Sequence, residues 1–244
     1  MTPLNDVSEL LPQDSLPRRR IEAIFDVGLP VLGGPWIGQY AQLIADAEGA
    51  CGVIHIQQEQ VEIELFQREP DPHDQLLGAV DDAETRSAFL PDLIDTLERL
   101  SDQRGLSVDR WLLRTRGTVS QKQHLAAPVP HWTMLCGASD TSLVQIYSLL
   151  KHLTHAGRAG DRWFGLGVMG ADRTDAITLT RRLNVITGSM LRHTIELLAV
   201  APRIRPIRRE TIGVFACPAA SGARLEDWMA RYSLASSPVI SRAS

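Results

Sequence analysis

The feature that most constrains the fold is an alternation in the second half of the chain. Short apolar runs with strand character are separated by segments with a helical stripe. Trp111-Leu112-Leu113, Trp132 to Cys136, Trp163 to Met169 and Ile195 to Val200 read as strands, each too short to be a helix. Ser142 to Leu153 and Ala176 to Leu191 carry apolar residues at helical spacing, the first preceded by Ser139 or Asp140 as its cap. A strand, a helix and a further strand in repeated order imply right-handed crossovers and a mostly parallel sheet covered on both faces. The expected class is therefore α/β: three layers, with helices on both sides of the sheet.

The first half reads less regularly. Residues 1–20 form a polar leader with Pro3, Pro12 and Pro17, ending in Arg18-Arg19-Arg20. Ile21 to Val27 has helical spacing, Leu29 to Leu32 resembles a short buried strand, and Gly33-Gly34-Pro35 breaks it. A helix is expected from Ile37 to Ala47, stopped by Glu48-Gly49. Cys51 to Ile56 and Val61 to Phe66 read as strands, the second alternating as a hairpin partner should. Residues 68–85 are acidic and contain proline, as a surface loop would, and Phe89 to Leu100 is amphipathic. A closing helix is expected from Ala223 to Tyr232. One domain over 21–234, with a leader at 1–20 and a tail at 235–244, accounts for this pattern.

Composition excludes several classes. With 44% hydrophobic and 22% charged residues the chain is of ordinary globular make-up. No apolar run approaches the ~18 residues of a membrane span, and the first twenty residues lack the apolar core of a signal peptide, so a cytoplasmic protein is expected. The three cysteines, Cys51, Cys136 and Cys217, are far apart and form no CxxC pair, which points to buried thiols rather than a disulfide framework or a zinc site. The net charge of −4 hides an asymmetry: residues 1–105 hold 20 acidic and 7 basic side chains, a net of −13, and residues 106–244 hold 9 and 18, a net of +9. Either one folded domain has two faces of opposite charge, or the surface is polarised for docking.

The segment Val31 to Tyr40 carries the most chemical information. Gly33, four residues and then Gly38 is the glycine spacing of a phosphate-binding loop, and Gly34 lies between them. Such a loop continues with Lys, which reaches the β- and γ-phosphates, and then with Ser or Thr, which binds magnesium. Here Gln39 and Tyr40 stand at those positions. Glutamine is neutral, and tyrosine is too bulky to present a short aliphatic hydroxyl to an ion. Downstream, Trp111-Leu-Leu-Arg114-Thr-Arg-Gly117 sits where such enzymes have an apolar strand ending in the Asp that helps hold magnesium. A cation at Arg114 would repel Mg²⁺, while attracting a bare phosphate or a carboxylate.

On these segments the chain resembles the MinD/ParA family of P-loop ATPases, most closely its branch that regulates flagellar number and placement. His131 to Ser142 is similar to the family's next strand and its Thr-Ser turn. Phe164 to Ala171 is similar to the strand that usually ends in Asn, and Ile195 to Pro202 to the last strand with its proline. The resemblance covers about residues 106–232, and more thinly 29–56. It implies a P-loop fold and ATP-driven dimerisation, but the family's signature lysine falls on Gly34, its second lysine on Gln39, its threonine on Tyr40 and its strand-end Asp on Arg114. All four changes strike the same chemistry, so the expected function is that of a pseudo-ATPase with no cofactor. It would act by contact with a protein partner such as a related ATPase, or with a second copy of the chain. A nucleotide- or anion-binding sensor or enzyme with altered, magnesium-independent chemistry using Arg114 and Arg116, and a DNA-binding partition factor, are the alternatives.

The remaining groups point less sharply. The basic run Arg203, Arg205, Arg208 and Arg209 would suit an acidic partner or nucleic acid, but no aromatic residue interleaves with it to stack on bases, so nucleic acid is disfavoured. Trp228 lies in a short amphipathic segment that also contains Glu226 and Asp227, which limits membrane contact to a peripheral role and favours packing on the domain. His152 and His155 lack further ligands at metal-binding spacing, and His124 and His131 lack a partner for a catalytic pair.

Overall fold

A computed structural model describes residues 20–27, 33–57, 60–68, 108, 110–115, 126, 129–155, 162–203 and 210–216. Among the described residues eight strands form one sheet: β1 (Arg20–Asp26), β2 (Ala50–Gln57), β3 (Gln60–Gln67), β4 (Arg110–Thr115), β5 (His131–Cys136), β6 (Trp163–Met169), β7 (Ile195–Ala201) and β8 (Glu210–Ala216). Three described helices accompany them: α1 (Gly33–Glu48), α2 (Asp140–His155) and α3 (Arg173–Met190). The spatial order is β7-β6-β5-β1-β4-β2-β3-β8. All pairings from β7 to β2 are parallel, while β3 runs antiparallel to both β2 and β8. The expectation of an α/β protein with a mostly parallel sheet and helices on both faces holds.

Residues 21–27 correct the helical reading: they are the central strand β1, hydrogen-bonded to β4 on one side and β5 on the other. Ile21, Ala23 and Phe25 face one side of the sheet and Ile24 the other, all buried. A strand buried on both faces shows a nearly continuous apolar run, whose spacing alone does not separate strand from helix. The helix expected from Ile37 also begins earlier, at Gly33. Pro35 is acceptable there, since amides of the first turn have no intrahelical partner to lose. β8 was not foreseen at all. The readings at 29–32, 69–100 and 223–232 lie outside the described residues.

The chain departs from β1 in two directions. Through α1 it moves to β2, two places to one side, and from β5 through α2 and α3 it moves to β6 and β7 on the other side. Right-handed crossovers in opposite directions must put their helices on opposite faces. The packing agrees. Trp36, Ile37, Tyr40, Ala41, Ile44 and Ala45 of α1 share a core with Ile24, Val53, Leu112 and Leu135. On the far face Leu143, Ile146, Leu150 and Leu153 of α2 and Ala176, Leu179 and Leu183 of α3 pack on Phe25, Trp132, Phe164 and Leu166. Ser139 caps α2 by accepting from the Ser142 amide at 3.1 Å, and Asp172 caps α3 through the Asp175 amide at 2.8 Å.

Gly52 and Gly165 mark the closest packing. A Cβ on Gly52 would lie 2.2 Å from the Trp111 ring, and one on Gly165 2.4 Å from Leu198 Cδ1. Cys51 and Cys136 are free and buried, as expected, while Cys217 lies outside the described residues. Burial pushes the Cys136 thiol up to about 12. The unfolded chain gives up that proton at about 8.5, so this contribution to stability is complete below that pH and is lost as pH rises towards 12. Stability is expected to fall through that window by up to about 1.4 kcal/mol per pH unit. Denaturant titrations at pH 8 and pH 10 would measure it, and Cys136→Ala should flatten the difference between them.

Candidate functional site

In open α/β sheets, ligands bind beyond the carboxyl ends of the strands, where the chain's direction of travel reverses. Here that point lies at the ends of β1, β4 and β5. α1 starts there, with Trp36 beside Gly137 after β5, and runs back across the sheet, which puts the stretch 33–40 near these strand ends.

Its conformation differs from a loop. Gly33, Gly34, Gly38, Gln39 and Tyr40 all belong to α1. A phosphate cradle needs several successive amides aimed at one point. In a helix only the first four amides lack an internal acceptor, and Pro35 removes one of these. From the fifth position onward, which takes in Gly38, Gln39 and Tyr40, helical geometry directs each N–H to the carbonyl four residues back. Gly38 and Gln39 are buried, and Tyr40 is fully so. The Tyr40 hydroxyl donates to Glu22 Oε1 at 2.7 Å, deep between helix and sheet. The Trp36 ring closes over Gly137 at the end of β5, where a Cβ would stand 3.9 Å from Cη2.

Arg114 projects on the same face, from the end of β4. Its Nε donates to Asp26 Oδ2 at 2.7 Å, and its Nη2 forms an ion pair with the same oxygen, also at 2.7 Å. Asp26 ends β1, so the strand-end cation is matched by a strand-end carboxylate on the neighbouring strand. An anion reaching Arg114 would have to compete with Asp26. Arg116, named with Arg114 in the sensor reading, is outside the described residues.

These two side chains belong to a larger polar layer that sequence reasoning missed. The strand residues facing α1 include Glu22, Asp26, His55, Glu64, Arg110, Arg114 and Thr133, whereas the α2–α3 side of the same strands is apolar. Near the amino ends of the strands, Glu22 accepts from Tyr40 and Thr133, and Arg110 pairs with Glu22 at 3.9 Å and with Glu48. Burial acts to lower the Arg110 pKa, but Glu22, Tyr40, Glu48 and Cys51 together outweigh it, so the pKa lies above its usual value and the guanidinium stays charged. Towards the carboxyl ends, His55 Nε2 meets Glu64 Oε2 at 2.8 Å, and His55 stands in register with Arg114 across β2 and β4. A signal for these groups was present in the sequence. Charged residues four apart in a strand share a face, as Glu22 with Asp26 and Arg110 with Arg114 do.

Of the other residues singled out, Arg203 is exposed just after β7, and Arg205, Arg208, Arg209 and Trp228 lie outside the described residues. His152 is exposed, its Nδ1 2.8 Å from the Ser148 carbonyl, and His131 stacks edge-on against Trp163. No group of three or more metal-ligating side chains comes together among the described residues. No helix among them is long and apolar enough to cross a membrane. The chain matches no protein-family model, and no curated protein shows significant similarity to it.

Proposed function

We propose that this chain is a non-catalytic member of the MinD/ParA-like group of P-loop folds and acts through protein contacts. Its task would be to regulate a cognate ATPase or to help position a polar machine such as a flagellum. The observation that carries this reading is the pairing of Arg114 with Asp26. In a P-loop enzyme the magnesium-holding strand must end close to the loop that follows the first strand, so that both can share the ion. β4 ends in that relation to β1 here, which supports the kinship, but it brings a guanidinium and not a carboxylate. Tyr40, at the position of the magnesium-binding hydroxyl, is committed to Glu22. Two groups required for one reaction are thus replaced by side chains with internal partners.

The purified full-length protein is expected to hydrolyse ATP no faster than buffer with Mg²⁺. A phosphate-release assay measures this. Turnover that disappears when residues 33–40 are substituted would overturn the reading.

A further inference from the structure

The outer surface of α2 and α3 differs from the rest of the described molecule in two respects. The large apolar side chains left exposed are Val144 at 60%, Val185 at 73% and Met190 at 70%, and all three lie on these two helices. The same layer is basic. After the first turns, which hold Asp140 and Asp175, neither 141–155 nor 176–192 contains an Asp or Glu, whereas Lys151, Arg181, Arg182 and Arg192 are present and exposed. This stands against a chain of net charge −4.

The two helices form one surface. Each follows a parallel strand and runs back along the sheet, so they are parallel to one another. Arg182 Nη1 bonds Asp140 Oδ1 at 2.7 Å, which sets the start of α2 beside the middle of α3. One turn further on each helix come Val144 and Val185, on the same side of that bridge. Arg181 and Val185 fall on a single stripe of α3, since a four-residue step returns to the same face, and Arg192 follows just past the end of that helix. β-Branched residues are poor choices for an exposed helix position on propensity, and at these two positions they contribute little to the core.

From this surface we propose that the α2–α3 layer is a docking site for an acidic, amphipathic helix of a partner protein. Apolar residues of that helix would sit over Val144 and Val185 while its carboxylates meet Arg181, Arg182, Lys151 and Arg192. Charge complementarity selects the partner's sign. The exposed valines, with no aromatic residue for base stacking among the exposed large apolar groups, favour a protein over nucleic acid. The proposal rests on the reading that the protein works by protein contacts and gives that contact a place.

The test uses a synthetic amphipathic helix of about 16 residues, matched to the ~24 Å length of α2, with leucines on one face and glutamates on the other. A second peptide carries lysine in place of every glutamate. Chemical-shift mapping on the full chain should show the acidic peptide perturbing Val144, Arg181, Val185 and their neighbours, with the basic peptide silent. Arg181→Glu and Val185→Asp, both at exposed positions, should each weaken binding about tenfold or more while leaving the melting temperature unchanged. Equal binding of both peptides, perturbations elsewhere, or unaltered affinity in both variants would overturn the proposal. So would preferential binding of duplex DNA or of anionic vesicles that the same variants abolish. ATP turnover by the pure protein would instead sink the non-catalytic reading and leave these peptide results standing.

Discussion

Replacing Arg110 by methionine is expected to destabilise the fold by about 3–5 kcal/mol, the cost of removing one partner from a buried ion pair. Arg110 is 3% exposed and Glu22 fully buried. Without the guanidinium, Glu22 would keep its hydrogen bonds from Tyr40 and Thr133 but would lose the positive charge of Arg110 beside it. Glu48, at the end of α1, would lose its tie to the sheet. The effect has a diagnostic partner. Glu22→Gln keeps an acceptor for both hydroxyls and removes the charge, so the double variant Arg110→Met with Glu22→Gln should recover much of the loss. Urea unfolding of the wild type, both single variants and the double variant gives the coupling. Additive losses would mean that Arg110 acts by packing alone.

Trp132→Ala should cost a similar amount, about 3–5 kcal/mol, for a different reason. Trp132 is fully buried on the α2–α3 face. Its ring lies 5.3 Å from that of Phe25 and 5.9 Å from that of Phe164, with the Arg162 guanidinium 4.2 Å from its centroid. Its Nε1 donates to the carbonyls of Ala126 and Val129 at 3.0 and 2.8 Å. Truncation therefore opens a cavity and removes the donor shared by two buried carbonyls. Trp132→Phe separates these effects, since it keeps most of the apolar volume and should cost only the lost hydrogen bonding, about 1–3 kcal/mol. Denaturation midpoints of the two variants provide the comparison.

Much of the fold was legible because strands 131–136, 163–169 and 195–201 and the helices between them announce themselves by period and by caps. β1 was not, because Ile21, Ile24 and Phe25 are spaced as on a helix while the strand is buried on both faces. β8 pairs with β3 across more than 140 residues of sequence, and no local pattern reports such a partner. At the candidate site, Arg114 drew notice as a cation where an acid was expected. Its partner Asp26 did not, since the two are 88 residues apart and meet only because β4 inserts beside β1. The spacing of the glycines at 33 and 38 suggests a loop. The apolar stripe from Trp36 to Ala45 instead carries the helix back through them, since burying that stripe against the sheet outweighs the low helix propensity of the glycines.

In the proposed reading, Arg114 and Tyr40 are occupied internally, by Asp26 and Glu22, where a nucleotide site would need a carboxylate and a free hydroxyl. Calorimetric titration of ATP into the full-length protein, with and without Mg²⁺, tests this most directly. The expected result is no heat beyond dilution up to millimolar nucleotide under either condition. A saturable heat that requires Mg²⁺ and is lost on substitution within residues 33–40 would contradict it.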